Sequence, residues 1–169
     1  MDIVSHGLWG GIAFGRRNKK AFAQSFFFGI SPDLFSFGIL TIASFLGIGP
    51  PRPDFSDGLP SPSAIPEYVH SLYDFTHSLI VFGIVFGLVW LFRKKPFLPL
   101  AAWGLHILVD IPTHSFDFFP TPFLWPVSEF RVDGISWGTP IIWYTNLALL
   151  AILYAIVIIR KMRDKKPED

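Results

Sequence analysis

Residues 138–159 read GTPIIWYTNLALLAILYAIVII, and RKMRDKK follows at once. The stretch carries no Asp, Glu, Lys or Arg. As a helix it would run about 33 Å, enough to cross the hydrocarbon core of a bilayer. The basic residues at its end, Arg160, Lys161, Arg163, Lys165 and Lys166, predict that this end faces the cytoplasm. The rest of the chain reads the same way. Of 169 residues, 51% are hydrophobic, and the mean hydropathy is +0.45, which is too apolar for an ordinary soluble domain. Of 14 Lys and Arg, twelve fall in three clusters: Arg16, Arg17, Lys19, Lys20; Arg93, Lys94, Lys95; and the five already named. Each abuts an apolar segment. The positive-inside pattern accounts for them, so no nucleic-acid partner is expected. Cysteine is absent, which excludes disulfides and thiolate metal sites. No cleavable signal peptide is apparent in MDIVSHGLWGG, so insertion is expected to rest on the helices themselves.

Working outward from the last helix, the expected class is all-α: a multi-spanning membrane bundle of about four spanning helices plus a short N-terminal helix. Residues 3–15 form that short helix, and RRNKK the turn after it. Residues 21–48 are apolar but interrupted by GISPD at 29–33; Pro32 is expected to end one half-helix and Asp33 to cap the next. Residues 49–66, rich in proline, form a water-side loop. One helix runs from about Glu67 to Phe92, another over 96–111 until Pro112, and an aromatic loop fills 113–136. Residues 1–160 make a single membrane-embedded domain, and 161–169 a charged cytoplasmic tail. With all three basic clusters on the cytoplasmic side of the cell membrane, the segments alternate in direction.

Five histidines lie in or beside these helices. Counted at ~1.5 Å per residue from the nearest basic cluster, His6, Asp33, His77, His106 and Asp110 stand about 15–24 Å up, in the outer half of the membrane. His114 lies at about 28 Å if its helix continues past Pro112. Ionisable groups are costly at such depth and ask for a functional explanation. In WGLHILVDIPTHS, at 103–115, His106, Asp110 and His114 follow at intervals of four and share one helix face. A His/Asp set without cysteine suits zinc in a catalytic site, or another divalent ion such as manganese. The alternative is a polar cap hydrogen-bonded to backbone. In HSLYDFTHSL, His70, Asp74 and His77 form a second stripe; Asp74 could orient a ring, or His70 and Asp74 could be a solvated helix start. Asp33 reads equally as a cap or a ligand, and His6 alone as a core histidine. Asp117, Glu129 and Asp133 read as solvated loop residues.

SHGLWG (5–10), GISPDLFSFG (29–38), YDFTHSLIV (73–81) and WGLHILVDIPTHS (103–115) with FLWP (123–126) together resemble the YdjM-like family of membrane-bound metal-dependent hydrolases. The resemblance covers most of residues 1–126. That family is distantly similar to zinc-dependent phospholipase C and to single-strand nucleases, helical proteins with His/Asp metal clusters. The resemblance implies His6, Asp33, His77, His106 and Asp110 as metal ligands, with His114 joining them. Where some members carry a second acidic residue after Pro-Asp, this chain has Leu34, Phe35 and Ser36.

The function expected is metal-dependent hydrolysis of a phosphoester in a lipid or lipid-linked substrate at the outer leaflet. Asp74, Asp33 or His70 would serve as base. The rival is a non-catalytic or transport-type membrane protein using the same His/Asp site. Transport would need polar residues through the full thickness, and the inner halves GIVFGLVWLF and ALLAILYAIVII lack them. A haem reading needs only two histidines, and carboxylates are poor haem ligands.

Overall fold

A computed structural model describes residues 1–48 and 62–163. Most of the expected 49–66 loop, and Lys165 and Lys166 of the basic tail, lie outside these residues. Among the described residues the regular elements are all helical: α1 (Ile3–Phe14), α2 (Lys19–Phe35), α3 (Phe37–Phe45), α4 (Glu67–Thr76), α5 (Leu79–Arg93), α6 (Ala101–Thr113) and α7 (Pro140–Arg163). Short 3-10 turns precede α4 and α6. The all-α class is therefore as expected.

Of these helices, α7 is the one long and apolar enough to cross a membrane by itself. Two bent pairs pass the same test when each is taken together: α2 with α3, bent by 68°, and α4 with α5, bent by 55°. Helix α6 and its 3-10 lead, Leu98–Thr113, are shorter than the ~20 residues of a full crossing.

Both bends have local causes. The sequence reading ends a half-helix at Pro32, but the proline sits inside α2, which continues to Phe35. A proline removes the hydrogen bond to the carbonyl four residues back, here that of Phe28. The Ser31 hydroxyl donates to this carbonyl instead, at 3.0 Å. The break falls at Ser36, which stands outside helical geometry and whose hydroxyl donates back to the Pro32 carbonyl at 2.9 Å. Asp33 is thus a helical residue, not a cap. The expected single helix over 67–92 is likewise two. Ser78 caps α5, accepting from the amides of Ile80 and Val81 at 3.1 Å each. Its own hydroxyl donates to the Trp125 carbonyl, and the Leu79 amide goes to the Phe123 carbonyl at 2.9 Å. The loop after α6 thereby takes hydrogen bonds that would have continued α4. Pro112 also stays within its helix, and α6 ends at Thr113.

Helices α1 and α2 pack through glycine. A Cβ on Gly7 would lie 2.6 Å from the Phe26 ring, one on Gly10 2.6 Å from the Ser25 carbonyl oxygen, and one on Gly29 2.5 Å from the His6 carbonyl oxygen. Small residues of this kind let the two helix backbones approach closely. Helix α7 is held to α1 by polar side chains. Trp9 donates to Asn146 Oδ1, Asn146 Nδ2 donates to Ser5 Oγ, both at 2.8 Å, and Tyr154 donates to the Leu8 carbonyl at 2.9 Å. A small hydrophobic core of Leu40, Ile65, Val69, Tyr73 and Phe119 seats α3 and α4 on the returning loop.

Gly29→Ala is expected to cost about 1–3 kcal/mol by overpacking, because its Cβ meets backbone. Gly83→Ala, whose Cβ meets nothing within 4 Å, is expected to be neutral or stabilising. Thermal unfolding of the two variants in one detergent checks the contrast.

Candidate metal centre

Six predicted residues converge at the junction of α1, α2, α4 and α6. His6 comes from α1, Asp33 from α2, His77 from the cap of α4, His106 and Asp110 from α6, and His114 from the residue after it. His6, His77, His106 and Asp110 are all at most 2% exposed. Asp33 is the more open carboxylate, its side chain 18% accessible against 1% for Asp110.

Asp110 is the hub. Its Oδ1 lies 3.0 Å from His6 Nε2 and 3.4 Å from His114 Nε2. The α-amino group of Met1 stands 2.5 Å from the same oxygen. Its Oδ2 lies 3.0 Å from His106 Nε2 and 3.7 Å from His77 Nε2. Asp33 Oδ1 completes the far side, 3.5 Å from His77 Nε2 and 3.9 Å from His106 Nε2. The His6 and His106 rings stack with centroids 3.6 Å apart.

Backbone carbonyls fix the rings. His106 Nδ1 lies 2.6 Å from the Gly29 carbonyl oxygen, His77 Nδ1 3.1 Å from that of Tyr73, and His114 Nδ1 3.0 Å from that of Phe119. A carbonyl only accepts, so each Nδ1 carries a proton. The neutral ring then turns a lone pair inward from Nε2. Thr76 supports the arrangement: its hydroxyl donates to the Leu72 carbonyl at 2.8 Å and receives His77 Nδ1 at 3.0 Å.

The lone pairs need a cation. His77 Nε2 and His106 Nε2 are 3.0 Å apart, and two facing lone pairs at that distance repel unless they share a proton or a metal ion. His6 Nδ1, His6 Nε2 and Asp110 Oδ2 are buried with no hydrogen-bond partner. The short His6–Asp110 and His106–Asp110 approaches are thus proximity without full hydrogen-bond geometry. Two ligand triplets have donor atoms within 4.8 Å of one another: His6, Asp33, His106 and His77, His106, Asp110. In the second, the separations are 3.0, 3.7 and 3.0 Å. An ion ~2.1 Å from each ligand holds tetrahedral donors about 3.4 Å apart, so these residues fit a divalent ion.

The two expected catalytic residues have other neighbours. Asp74 pairs with Arg131 at 3.3 Å, and the His70 ring stacks on Phe119 at 4.6 Å. Neither belongs to the two ligand triplets. Among the loop carboxylates, Asp133 accepts from the Phe116 amide at 2.9 Å and Asp117 from the Ser115 hydroxyl at 3.4 Å.

Sequence reasoning missed the residues that hold the rings. Gly29 and Tyr73 lie inside the quoted motifs, but they act through their carbonyls. Phe119 carried no signal at all; its carbonyl also accepts the Tyr73 hydroxyl at 2.9 Å.

No family model, curated protein or solved structure matches this chain.

His106→Ala would open a cavity and leave Asp110 Oδ2 without its nearest imidazole. The metal-stripped variant is expected to be about 3 kcal/mol less stable than metal-stripped wild type. Denaturant unfolding monitored by tryptophan fluorescence, in chelator throughout, measures it.

Proposed function

We propose that this protein is a multi-spanning, membrane-bound metal-dependent hydrolase acting on the phosphoester of a lipid or lipid-linked substrate. The observation that carries the reading is the buried His77–His106–Asp110 triplet, whose donor separations match those around a single divalent ion. Zinc or manganese is the ion proposed, from the all-His/Asp donor set. The sequence resemblance to the YdjM-like hydrolases points the same way.

In this reading His77, His106 and Asp110 hold the ion, while His6 and His114 flank Asp110. When bound, the ion supplies Lewis acidity, lowering the pKa of a water and polarising a phosphoryl oxygen. Asp33 is the base we favour over Asp74 and His70. It lies outside that triplet, is the more accessible carboxylate, and has its Oδ1 3.5 Å from His77 Nε2. Asp74, engaged by Arg131, is less free to take a proton. The carbonyls of Gly29 and Tyr73 keep the two rings oriented.

A lipid substrate is supported by a groove of about 420 Å³. Its walls include Pro32 and Thr76, the chain neighbours of Asp33 and His77, together with Phe35, Phe75 and Trp103. An apolar groove next to a polar centre suits a molecule with a phosphate at one end and hydrocarbon at the other. The topology proposed has four crossings, the two bent pairs, α6 with its 3-10 lead, and α7, with the C-terminus cytoplasmic and the site toward the outer leaflet.

Elemental analysis of detergent-purified protein is expected to find stoichiometric zinc or manganese in wild type and background levels in His106→Ala and Asp110→Ala. Thr76→Val, which removes a support of His77, is expected to weaken metal affinity by about 10–100-fold. Metal-loaded wild type should hydrolyse a short-chain phospholipid phosphoester, and Asp33→Asn should retain metal while losing turnover. Metal content unchanged in His106→Ala would overturn the site. Full metal occupancy without hydrolysis of any lipid phosphoester would overturn the hydrolase and leave a non-catalytic metal protein.

A further inference from the structure

Two basic segments from opposite ends of the chain meet at one cleft, away from the His/Asp centre. The cleft encloses about 530 Å³, within the range of small-ligand sites. Arg16, Arg17 and Lys19 border it from the α1–α2 turn, and Arg160 and Lys161 from the last turns of α7. No Asp or Glu lines it. Among the described residues, none of these five cations is ion-paired with a carboxylate. Arg16 stands about 15 Å along the helix direction from His6.

We propose that this cleft binds the phosphate headgroup of an anionic phospholipid. Like charges gathered without counter-charge repel one another, and an anion between them offsets that cost. The positive-inside pattern explains why basic residues lie at helix ends, but not why two distant clusters enclose a common space. The third cluster, at 93–95, does not border it. Helix α2 also begins here: Asn18 caps it by accepting from the Ala21 amide at 2.8 Å. The free amides and positive dipole end of its first turn add to the cationic character.

The cleft has a built floor. A Cβ on Gly15 would lie 2.5 Å from the Phe22 Cα, and one on Gly11 2.5 Å from the Phe22 ring. The absence of these side chains lets the turn close tightly against α2. Tyr154 packs edge-on to Phe22, centroids 6.5 Å apart, and is anchored by its bond to the Leu8 carbonyl. Cations around an aromatic floor suit an amphiphile better than a free ion. The lining also carries apolar side chains, Ile12, Phe22 and Val157. A headgroup seated on the cations would bring its acyl chains against them. Basic pockets between membrane helices bind phospholipid headgroups in this way.

The test uses the full chain purified in a neutral detergent, followed by thermal shift on titration with phosphatidylglycerol, with phosphatidylcholine of the same chains, and with inorganic phosphate. Wild type is expected to bind phosphatidylglycerol well above phosphatidylcholine, with no comparable shift from inorganic phosphate. R16A/R160A is expected to bind it about 30-fold more weakly, as loss of two cations near a phosphate implies. R93A/K95A, which removes the same charge outside the cleft, should bind as wild type does. If R16A/R160A does not purify as a folded species, R17Q/K161Q replaces it. Equal weakening in R93A/K95A would mean diffuse electrostatics and overturn the site. Equal binding of phosphatidylcholine, or an equal shift from inorganic phosphate, would overturn the anionic-lipid assignment.

Discussion

The 2.6 Å hydrogen bond from His106 Nδ1 to the Gly29 carbonyl is the contact on which most of the arrangement depends. It joins α6 to α2 at Gly29, where an added Cβ would lie 2.5 Å from the His6 carbonyl oxygen of α1. Three helices are thus indexed to each other at one level. Because the carbonyl takes the Nδ1 proton, His106 must present Nε2 to Asp110 and His77. A side chain at position 29 would separate α1 from α2 and move the carbonyl that orients the ring. Packing and chemistry are therefore not separable at this residue.

The same device recurs. His77 and His114 rest on the carbonyls of Tyr73 and Phe119, and Tyr73 donates its hydroxyl back to Phe119. Each ring stands at or just past a helix end, and the carbonyl it meets also accepts a second donor: that of Tyr73 takes the His77 amide at 2.8 Å, and that of Phe119 the Tyr73 hydroxyl. Breaks in the helices are thus functional parts of the geometry. The bend at Ser78 lets α4 end at His77, and the end of α6 leaves His114 in extended backbone. Continuous helices would have carried these rings past the site.

How legible this was depends on whether side chain or backbone carried the information. The spacing of His106, Asp110 and His114 reads directly as one helix face, and the three lie around a common point in the structure. The all-helical class followed from apolar run lengths. The break at Ser78 was hidden because LIVFGIVFGLVWLF continues the apolar run without a proline, although a serine before such a run is a capping signal. Pro32 misled in the opposite direction: its penalty is absorbed by the Ser31 hydroxyl, which satisfies the stranded Phe28 carbonyl. The carbonyls that hold the imidazoles leave no mark in the sequence, since every residue has one. The partners of Asp74 and His70, namely Arg131 and Phe119, come from a loop whose path no local pattern specifies.

All six residues of the centre precede Ser115, whereas α7 begins at Pro140. During synthesis the chain emerges from its N-terminus, so every group that composes the centre is available before α7 has been made. Helix α7 joins through Asn146 and Tyr154, which reach Trp9, Ser5 and the Leu8 carbonyl on α1. It is the last helix to be made, and it fastens to the first. The residues of the centre are thus gathered in the part of the chain that is synthesised ahead of it.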